Sequence, residues 1–340
     1  MSTSPLHVAL LALPEAAVST LAGLFDVMKA PGHLARLAGE ARRCAPTPFH
    51  VEVVGDAKGP LELASGVPFP VQRAVGEIES CDIVIVPSVF VGSAGWTKGR
   101  YPRLVEWLRQ MHERGALLCS ACSGIFLLAE TGLFDDKDAT VHFAYAREFA
   151  AAHPAVHIHP DRVLVISGTR EELVSSGASN TWHDLALYLI ARHAGATEAQ
   201  EVARRYALQW HQDGLAPYIT FEGRSDHGDA EIAAAQRWLA GHFSVANPVE
   251  AMIQRSRLAE RTFKRRFTAA TGLTPIDYVQ RLRVEDAKRR LERTDAPVDE
   301  VSWRVGYEDA AFFRRLFKRT TGMAPGAYRK RFSIPEFARR

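Results

Sequence analysis

One cysteine stands where the chain could hold a reactive group. In ALLCSACSGIFLLAETG, Cys122 follows a short apolar run and closely precedes Gly124, a sequence typical of a sharp turn from a strand into a helix. Such a turn holds a nucleophile exposed, and its backbone N–H groups can stabilise a thiolate or an oxyanion. Twenty residues further on, His142 in DATVHF could act as a base or orienting partner. Attack of the thiol on a carbonyl, amide or isonitrile carbon is therefore one candidate activity.

The same segment permits two other interpretations. Cys119 and Cys122 have the C-x-x-C spacing of a redox pair, although Cys119 is expected inside the strand and no thioredoxin-like context surrounds it. Two cysteines with no histidine at ligand spacing are too few for a zinc site. We therefore expect no metal and no cofactor, and a redox switch and a purely structural turn stay open as alternatives.

Basic residues are concentrated at the other end of the chain. Residues 229–340 contain 23 Lys and Arg against 14 Asp and Glu, a net charge of +9, which leaves 19 basic and 25 acidic residues, a net charge of −6, in 1–228. Such a split is typical of one domain that faces nucleic acid and one that does not.

The apolar runs are shorter than the ~20 residues of a membrane span. The N-terminus lacks the basic region of a secretory signal, and four cysteines form no disulfide framework. We expect a cytoplasmic protein without membrane contact.

The basic half contains an internal repeat at an offset of fifty residues. A repeated supersecondary unit explains eight identities in a window of nineteen residues. Each copy predicts a short helix, about 248–255 and about 298–304, then a break of three or four residues and a longer basic helix that begins near Glu260 or near Glu308. The identities are Phe263, Arg265, Phe267, Thr271, Gly272, Pro275, Tyr278 and Arg281, which recur as Phe313, Arg315, Phe317, Thr321, Gly322, Pro325, Tyr328 and Arg331.

Each longer helix is predicted to have an apolar back and a basic front. Two phenylalanines spaced i, i+4 lie on one core-facing stripe of each helix, and the basic side chains fall away from that stripe. In the major groove Arg can pair bidentately with guanine, and either Arg or Lys can meet phosphate, which is the commoner fate of an exposed cation. The predicted DNA-binding residues are Arg261, Lys264, Arg265, Arg314, Arg315 and Lys318.

Turn and cap residues support these boundaries. Gly306 in the second break suits a tight interhelical turn. Glu308 and Asp309 could accept from cytosine, but we expect them to favour the helix N-terminus instead. Asp229 is a plausible N-cap for the helix AEIAAAQRWLAGHF.

The repeat resembles the AraC/XylS family of transcription activators over roughly 230–332. The resemblance is carried by RTFKRRFTAATGLTPIDYVQRLRVEDAKRRL and VDEVSWRVGYEDAAFFRRLFKRTTGMAPGAYRKRF. It implies seven helices, with the one from Pro275 through Leu291 bridging two helix-turn-helix units that enter successive major grooves on one DNA face. It also implies activation rather than repression, because AraC-type regulators are mostly activators. Double-stranded promoter DNA is the implied partner, with RNA polymerase as a second partner if the protein is an activator.

The first two hundred residues alternate apolar runs with amphipathic stretches. HVALLAL (7–13), DIVIVPS (82–88) and ALLCSAC (116–122) read as buried strands, and RVLVISG with ELVSSG as a hairpin. Helices are predicted in 15–28, 101–115 and 179–195, with another in SGIFLLAETG. The pattern indicates a doubly wound, mostly parallel α/β sheet of the flavodoxin-like kind, covered by helices on both faces.

With the cysteine turn, residues 5–195 resemble the ThiJ/PfpI branch of the class I glutamine amidotransferase-like fold. Joined to an AraC-type module, they resemble the GlxA-type regulators, which implies a homodimer and a sensor domain for a small, nitrogenous metabolite. Ligand-pocket candidates are Cys122, Ser123 and His142. Ala16 stands where the hydrolases of the branch carry a glutamate, with Glu15 one position away, and Ser123 stands where the peptidase-like members have His.

These patterns predict three segments: a sensor domain in 1–214, a linker in 215–229 and a DNA-binding domain in 230–340. The sequence predicts a transcription regulator without enzymatic activity. The alternative is a cysteine-dependent enzyme of amidase, hydratase or deglycase type that uses Cys122, with the helical domain as a regulatory appendage.

Overall fold

A computed structural model of the protein describes residues 4–37, 47–92 and 95–338, so that Cys44 lies outside the described residues. The chain folds as two compact units, Met1–Leu215 and Ala216–Arg340. In the part of the chain that the structure describes, each helix is too short or too polar to cross a membrane.

The first unit is built on a seven-stranded sheet with the strand order β10-β11-β7-β6-β1-β2-β5. Its strands pair in parallel except for β10, which pairs antiparallel with β11 and forms the predicted hairpin. Two small sheets, β3 with β4 and β8 with β9, lie outside it. The strands are β1 (Leu6–Leu11), β2 (Phe49–Gly55), β3 (Gly59–Glu62), β4 (Pro68–Val71), β5 (Arg73–Ala74), β6 (Ile83–Val86), β7 (Leu117–Ala121), β8 (Asp138–Ala139), β9 (His157–Ile158), β10 (Leu164–Ser167) and β11 (Leu173–Ser176).

Helices cover both faces of this sheet, because its central strands are apolar on both sides. All four residues of β6 are buried, and two separate hydrophobic clusters lie on the two faces. This confirms the predicted doubly wound α/β fold. The helices of the unit are α1 (Val18–Leu37), α2 (Pro102–Glu113), α3 (Ile125–Ala129), α4 (Ala146–Ala152), α5 (Trp182–Ala194) and α6 (Ala196–Tyr206).

Two predicted helices of this unit have different bounds in the structure. The first begins at Val18 rather than at Glu15 and extends to Leu37 rather than ending at Met28. The backbone carbonyl of Glu15 accepts from the N–H of Phe90. The segment after β7 starts with a 3-10 turn, Cys122–Gly124, and continues as α3 for only five residues. The Thr131 hydroxyl donates to the carbonyl of Leu128 at 2.6 Å just past that helix.

The second unit consists of seven α-helices and a final 3-10 turn within the described residues, as predicted. Pro275–Arg293 is the long bridging helix, and Asp229 caps the first helix of the unit through the Ile232 N–H. The helices are α7 (Ala230–His242), α8 (Pro248–Ser256), α9 (Glu260–Thr271), α10 (Pro275–Arg293), α11 (Val298–Arg304), α12 (Ala310–Thr321) and α13 (Pro325–Phe332).

The two helix-turn-helix breaks differ in length. Three residues separate α8 from α9, and five separate α11 from α12. The second helix therefore starts at Ala310 instead of near Glu308, because Asp309 is its N-cap and accepts from the N–H groups of Ala311 and Phe312. Gly306 takes a φ of +95° in this break, as its predicted turn role requires.

Residues 216–229, most of the segment predicted as a linker, contain no helix or strand and pack against helix α10 of the second unit. The ring of Phe221 meets Tyr278 edge-on at 5.0 Å, and the buried Lys288 ammonium donates to the Ile219 carbonyl at 2.7 Å. A Cβ added to Gly223 would lie 1.7 Å from the Tyr278 hydroxyl oxygen. The aromatic side chains of this segment explain the packing, while its role as a domain boundary stays a prediction.

Candidate functional site

The two helix-turn-helix units share the geometry that ends their second helices. The hydroxyl of Thr271 donates to the carbonyl of Phe267 at 2.8 Å, and that of Thr321 to Phe317 at 2.8 Å. Each helix then ends on a glycine at φ +76°, a conformation that an L-residue adopts at a cost. The repeated Thr-Gly pair of the sequence is therefore a repeated helix stop.

Aromatic packing behind the two helices is repeated as well. Phe263 and Phe267 have ring centroids 5.7 Å apart, as do Phe313 and Phe317. In each copy the second phenylalanine meets the repeat's tyrosine edge-on, at 5.3 Å in the first and 5.4 Å in the second. These four phenylalanines are fully buried. The basic residues therefore lie on two helices whose buried faces pack in the same way.

The six predicted DNA-binding side chains all lie on the exposed fronts of α9 and α12. Within the described ranges, four of these side chains make no hydrogen bond or ion pair: those of Arg261, Arg265, Arg315 and Lys318. Lys264 is tied to Glu260 at 2.5 Å one turn earlier, and Arg314 pairs with Asp299 of α11. Exposed pairs of this kind contribute little, so both can exchange their carboxylate for a phosphate.

A neighbouring arginine, Arg266, is held for structure instead. Its guanidinium donates to both carboxylate oxygens of Asp229, at 2.9 and 2.6 Å, and so ties α9 to the N-cap of α7. This bidentate bond is the main reason why the pKa of Asp229 is lowered. Since this guanidinium is already bound, it is not available to DNA.

Sequence reasoning missed the arginine that connects the two helix-turn-helix units inside the second unit. Arg283 of α10 is buried and donates to the carbonyls of Phe243 at 2.7 Å, Val245 at 3.0 Å and Gly306 at 2.8 Å. It thereby connects the end of α7, the bridging helix and the second interhelical turn. An arginine inside a highly basic stretch gave no signal of burial.

In the first unit, Cys122 occupies the predicted turn at the carboxyl end of β7. Its φ is +53°, a strained value for a non-glycine residue. A Cβ on Gly124 would lie 2.5 Å from the carbonyl oxygens of Val86 and Pro87, so only glycine fits this close approach to β6. The turn has the predicted geometry, but the thiol is buried rather than exposed, with 2% of the residue accessible.

The surroundings of the thiol favour its neutral form. Burial, the largest effect, raises the pKa of Cys122, and the hydrogen bond to the Ser179 hydroxyl, with a contribution from Ser123, offsets it only in part. The Ser179 oxygen lies 3.8 Å from the sulfur. Burial raises the pKa of the Tyr145 hydroxyl, with a smaller contribution from charge on the Cys122 sulfur. Ser179 and Tyr145 were absent from the predicted pocket.

The other two pocket candidates have partners of their own. The Ser123 hydroxyl donates to the Val89 carbonyl at 2.6 Å and accepts from the Val89 N–H at 2.9 Å, which fixes the backbone after β6. His142 accepts from the Ala144 N–H through Nδ1, and burial lowers its pKa, so the ring is neutral. Among the described residues no hydrogen bond or ion pair joins His142 to Cys122.

The structure places no acidic side chain at Ala16, the position where the hydrolases of the ThiJ/PfpI branch carry a glutamate. Ala16 is fully buried and its backbone pairs with Val89, while the Glu15 carboxylate accepts from the Tyr101 hydroxyl at 2.5 Å and pairs with Arg100. No described carboxylate hydrogen-bonds to the thiol of Cys122. The arrangement therefore offers a polar, buried cysteine rather than an activated nucleophile.

Two other clusters contain side chains of metal-ligand type. In one, buried Asp184 accepts from His211 Nδ1 at 2.6 Å, and His183 Nε2 donates to the Gln209 carbonyl at 2.9 Å. In the other, the Arg73 guanidinium forms an ion pair with the Glu52 carboxylate at 3.3 Å and already supplies a cation there. Hydrogen bonds account for both, so we assign no metal to them. The clusters are His183, Asp184 and His211, and His7, His50 and Glu52.

Comparison with known proteins gives the same division of the chain. The DJ-1/PfpI family model matches residues 17–192, more than half of the chain, and a helix-turn-helix domain model matches 252–331. The HTH-type transcriptional regulator CdhR of Pseudomonas aeruginosa is 25% identical over 278 residues, 78% of this chain and 77% of that protein. The HTH-type transcriptional regulator GlxA of Rhizobium meliloti is 26% identical over 292 residues, 83% of this chain and 86% of its own.

Among solved structures, Drosophila melanogaster DJ-1beta matches with a TM-score of 0.50 and 19% identity, over 61% of this chain and all of that one. This likeness concerns the fold alone. Together these findings define a protein that joins a DJ-1-like α/β unit to a C-terminal helix-turn-helix unit. The chain belongs to the DJ-1/PfpI family, and its resemblance to the regulators that combine a ThiJ/PfpI domain with an AraC-type module is confirmed.

Proposed function

We propose that this protein is a transcription regulator that binds double-stranded promoter DNA through α9 and α12. The observation that carries the proposal is the duplicated helix-turn-helix, with Arg261, Arg265, Arg315 and Lys318 exposed and without hydrogen bonds or ion pairs among the described residues. Cations on the front of such helices suit the phosphate and base edges of the major groove. CdhR and GlxA both bear the name HTH-type transcriptional regulator, so these relatives favour the same function.

The test is a fluorescence-anisotropy titration of the full chain on DNA selected from a random library. Binding should weaken steeply with salt, because phosphate contacts release counterions. Arg265→Ala combined with Arg315→Ala should weaken binding at least tenfold. Arg237→Ala with Arg293→Ala removes the same charge from exposed positions on α7 and α10 and is the matched control. Affinity that is indifferent to salt, or equal losses in both double variants, would contradict the proposal.

We further propose that the first unit senses a small metabolite at the buried cysteine. Cys122 lies at the carboxyl end of β7, beside β6, and the crevice at these strand ends is where open α/β sheets bind ligands. The hydroxyls of Ser179 and Tyr145 add polar groups with which a ligand can hydrogen-bond. A ligand that binds one conformation of the sensor more tightly than another shifts the population towards that conformation. If the two conformations differ in their affinity for DNA, the occupancy of DNA changes with it.

The enzyme alternative has less support, since the thiol is neutral and no base hydrogen-bonds to it among the described residues. A metabolite screen by thermal shift, followed by Cys122→Ser, separates the two functions. Under the sensor proposal, ligands stabilise the protein and change its DNA affinity without being consumed. Turnover that Cys122→Ser abolishes would establish the enzyme instead.

Homodimerisation, a cytoplasmic location and recruitment of RNA polymerase belong to the same proposal. The dimer and the polymerase partner are implied by the resemblance to the regulators described above, and the cytoplasmic location is inferred from the low number of cysteines. Light scattering of the purified chain measures the first, and transcription in vitro from a promoter that carries the selected DNA measures the last.

A further inference from the structure

The two DNA-facing helices present different chemistry at equivalent positions. At the offset of fifty residues, Arg261 of α9 corresponds to Ala311 of α12, and Thr262 corresponds to Phe312. Arg261 and Ala311 are exposed, and Phe312 is 38% exposed. At these two positions α9 is therefore cationic and hydroxylated, whereas α12 is apolar. One turn later the difference disappears, since both helices carry the repeated arginine.

The apolar turn of α12 is held in a defined position. Asp309 accepts from the N–H groups of Ala311 at 2.8 Å and Phe312 at 3.0 Å, which fixes the backbone of this turn. The Phe312 ring lies 5.7 Å from that of Tyr307, tilted by 47°. One side of the ring is thus supported by the preceding turn while the rest stays open. An ordered, open aromatic side chain beside a methyl group forms a small apolar surface.

This surface suits one feature of the major groove. N-terminal residues of a recognition helix contact base edges there. A guanidinium pairs with the O6 and N7 acceptors of guanine, whereas alanine and phenylalanine side chains contact the C5-methyl group of thymine. We propose that α9 reads guanine through Arg261 and that α12 reads thymine methyl groups through Ala311 and Phe312. This inference rests on the proposed DNA-binding function and adds the bases that each helix selects.

The bridging helix α10, Pro275–Arg293, connects the two helix-turn-helix units. The resemblance implies that the units enter successive major grooves on one face of the DNA. Such grooves are about 34 Å apart, so the two sub-sites are expected about ten base pairs apart. Because one sub-site contains guanine and the other thymine, the operator is asymmetric for each chain. The second unit consequently binds in one direction only.

The test starts from DNA sites selected by the full chain. The sub-site of each helix is identified by the contacts that are lost in Arg265→Ala and in Arg315→Ala. Each thymine is then replaced by uracil, which removes only the methyl group, and affinity is measured by anisotropy. In the α12 sub-site we expect a loss of about fourfold per contacted methyl, equivalent to about 0.8 kcal/mol. In the α9 sub-site, where Arg261 reads guanine, we expect uracil to be tolerated at each thymine.

Two exchanges of the helices' own residues complete the test. Ala311→Arg copies the first-turn arginine of α9 and should shift the preference of the α12 sub-site from thymine to guanine. Arg261→Ala should relax the guanine preference of the α9 sub-site. Unchanged base preference in both variants, or uracil tolerated throughout the α12 sub-site, would overturn the inference while leaving specific DNA binding intact. Failure to enrich any sequence would remove the proposed function itself, and this inference with it.

Discussion

Replacing Arg283 should loosen the connection between the two helix-turn-helix units. Its buried guanidinium donates to three carbonyls, which belong to the end of α7, the chain just after it and the turn before α12. A hydrogen bond to a charged group contributes about 1.5–3 kcal/mol, and water can satisfy part of what is lost. We therefore expect Arg283→Met, which keeps the apolar stem, to cost about 2–4 kcal/mol in local stability.

Hydrogen exchange followed by mass spectrometry measures this locally, which matters because a chain of two units need not unfold in one step. Peptides from α10 should exchange about 30- to 700-fold faster in Arg283→Met, since each 1.4 kcal/mol is a factor of ten. Arg281→Ala is the control, because that exposed side chain only stacks on Phe221, at 5.6 Å, and should cost less than about 1 kcal/mol. Equal exchange in both variants would refute the reasoning.

Three further predictions concern single positions. Gly223→Ala should displace residues 216–229 from helix α10, because its Cβ would lie 1.7 Å from the Tyr278 hydroxyl. We expect faster hydrogen exchange in residues 216–229 and unchanged exchange in α12. Cys122 should react slowly with iodoacetamide at pH 7, because burial raises its pKa; a rate equal to that of free cysteine would contradict this. Burial raises the pKa of Cys81 and Cys119 to about 12, so the unfolded state releases their protons first as pH rises. The free energy of unfolding of the first unit should therefore fall above about pH 8.5, by about 1.4 kcal/mol per pH unit for each thiol, and more shallowly in Cys81→Ala.

The helical half could be predicted almost entirely from the sequence. Its repeat fixes two copies of one packing unit, and local signals such as the Asp229 cap and the Gly306 turn mark its boundaries. What escaped prediction depends on contacts between distant residues. Arg283 looks like any other basic residue until α7 and the second turn surround it, and residues 216–229 look like a linker until Phe221 meets Tyr278.

The cysteine site was predictable in its backbone and less so in its side chains. The strand, the turn at Cys122 and the requirement for Gly124 follow from local sequence. The neighbours of the thiol do not, because Ser179 and Tyr145 come from loops that only the folded sheet brings together. Exposure of the thiol, expected from the turn alone, was wrong because this packing encloses it.

The claim that two matched helices bind DNA together is tested most directly by hydroxyl-radical footprinting of the full chain on a selected site. Two protected patches should appear on one face of the DNA, with centres about ten base pairs apart. Arg265→Ala should weaken one patch and Arg315→Ala the other. A single patch, or protection spread evenly along the DNA, would contradict binding by two tandem helix-turn-helix units.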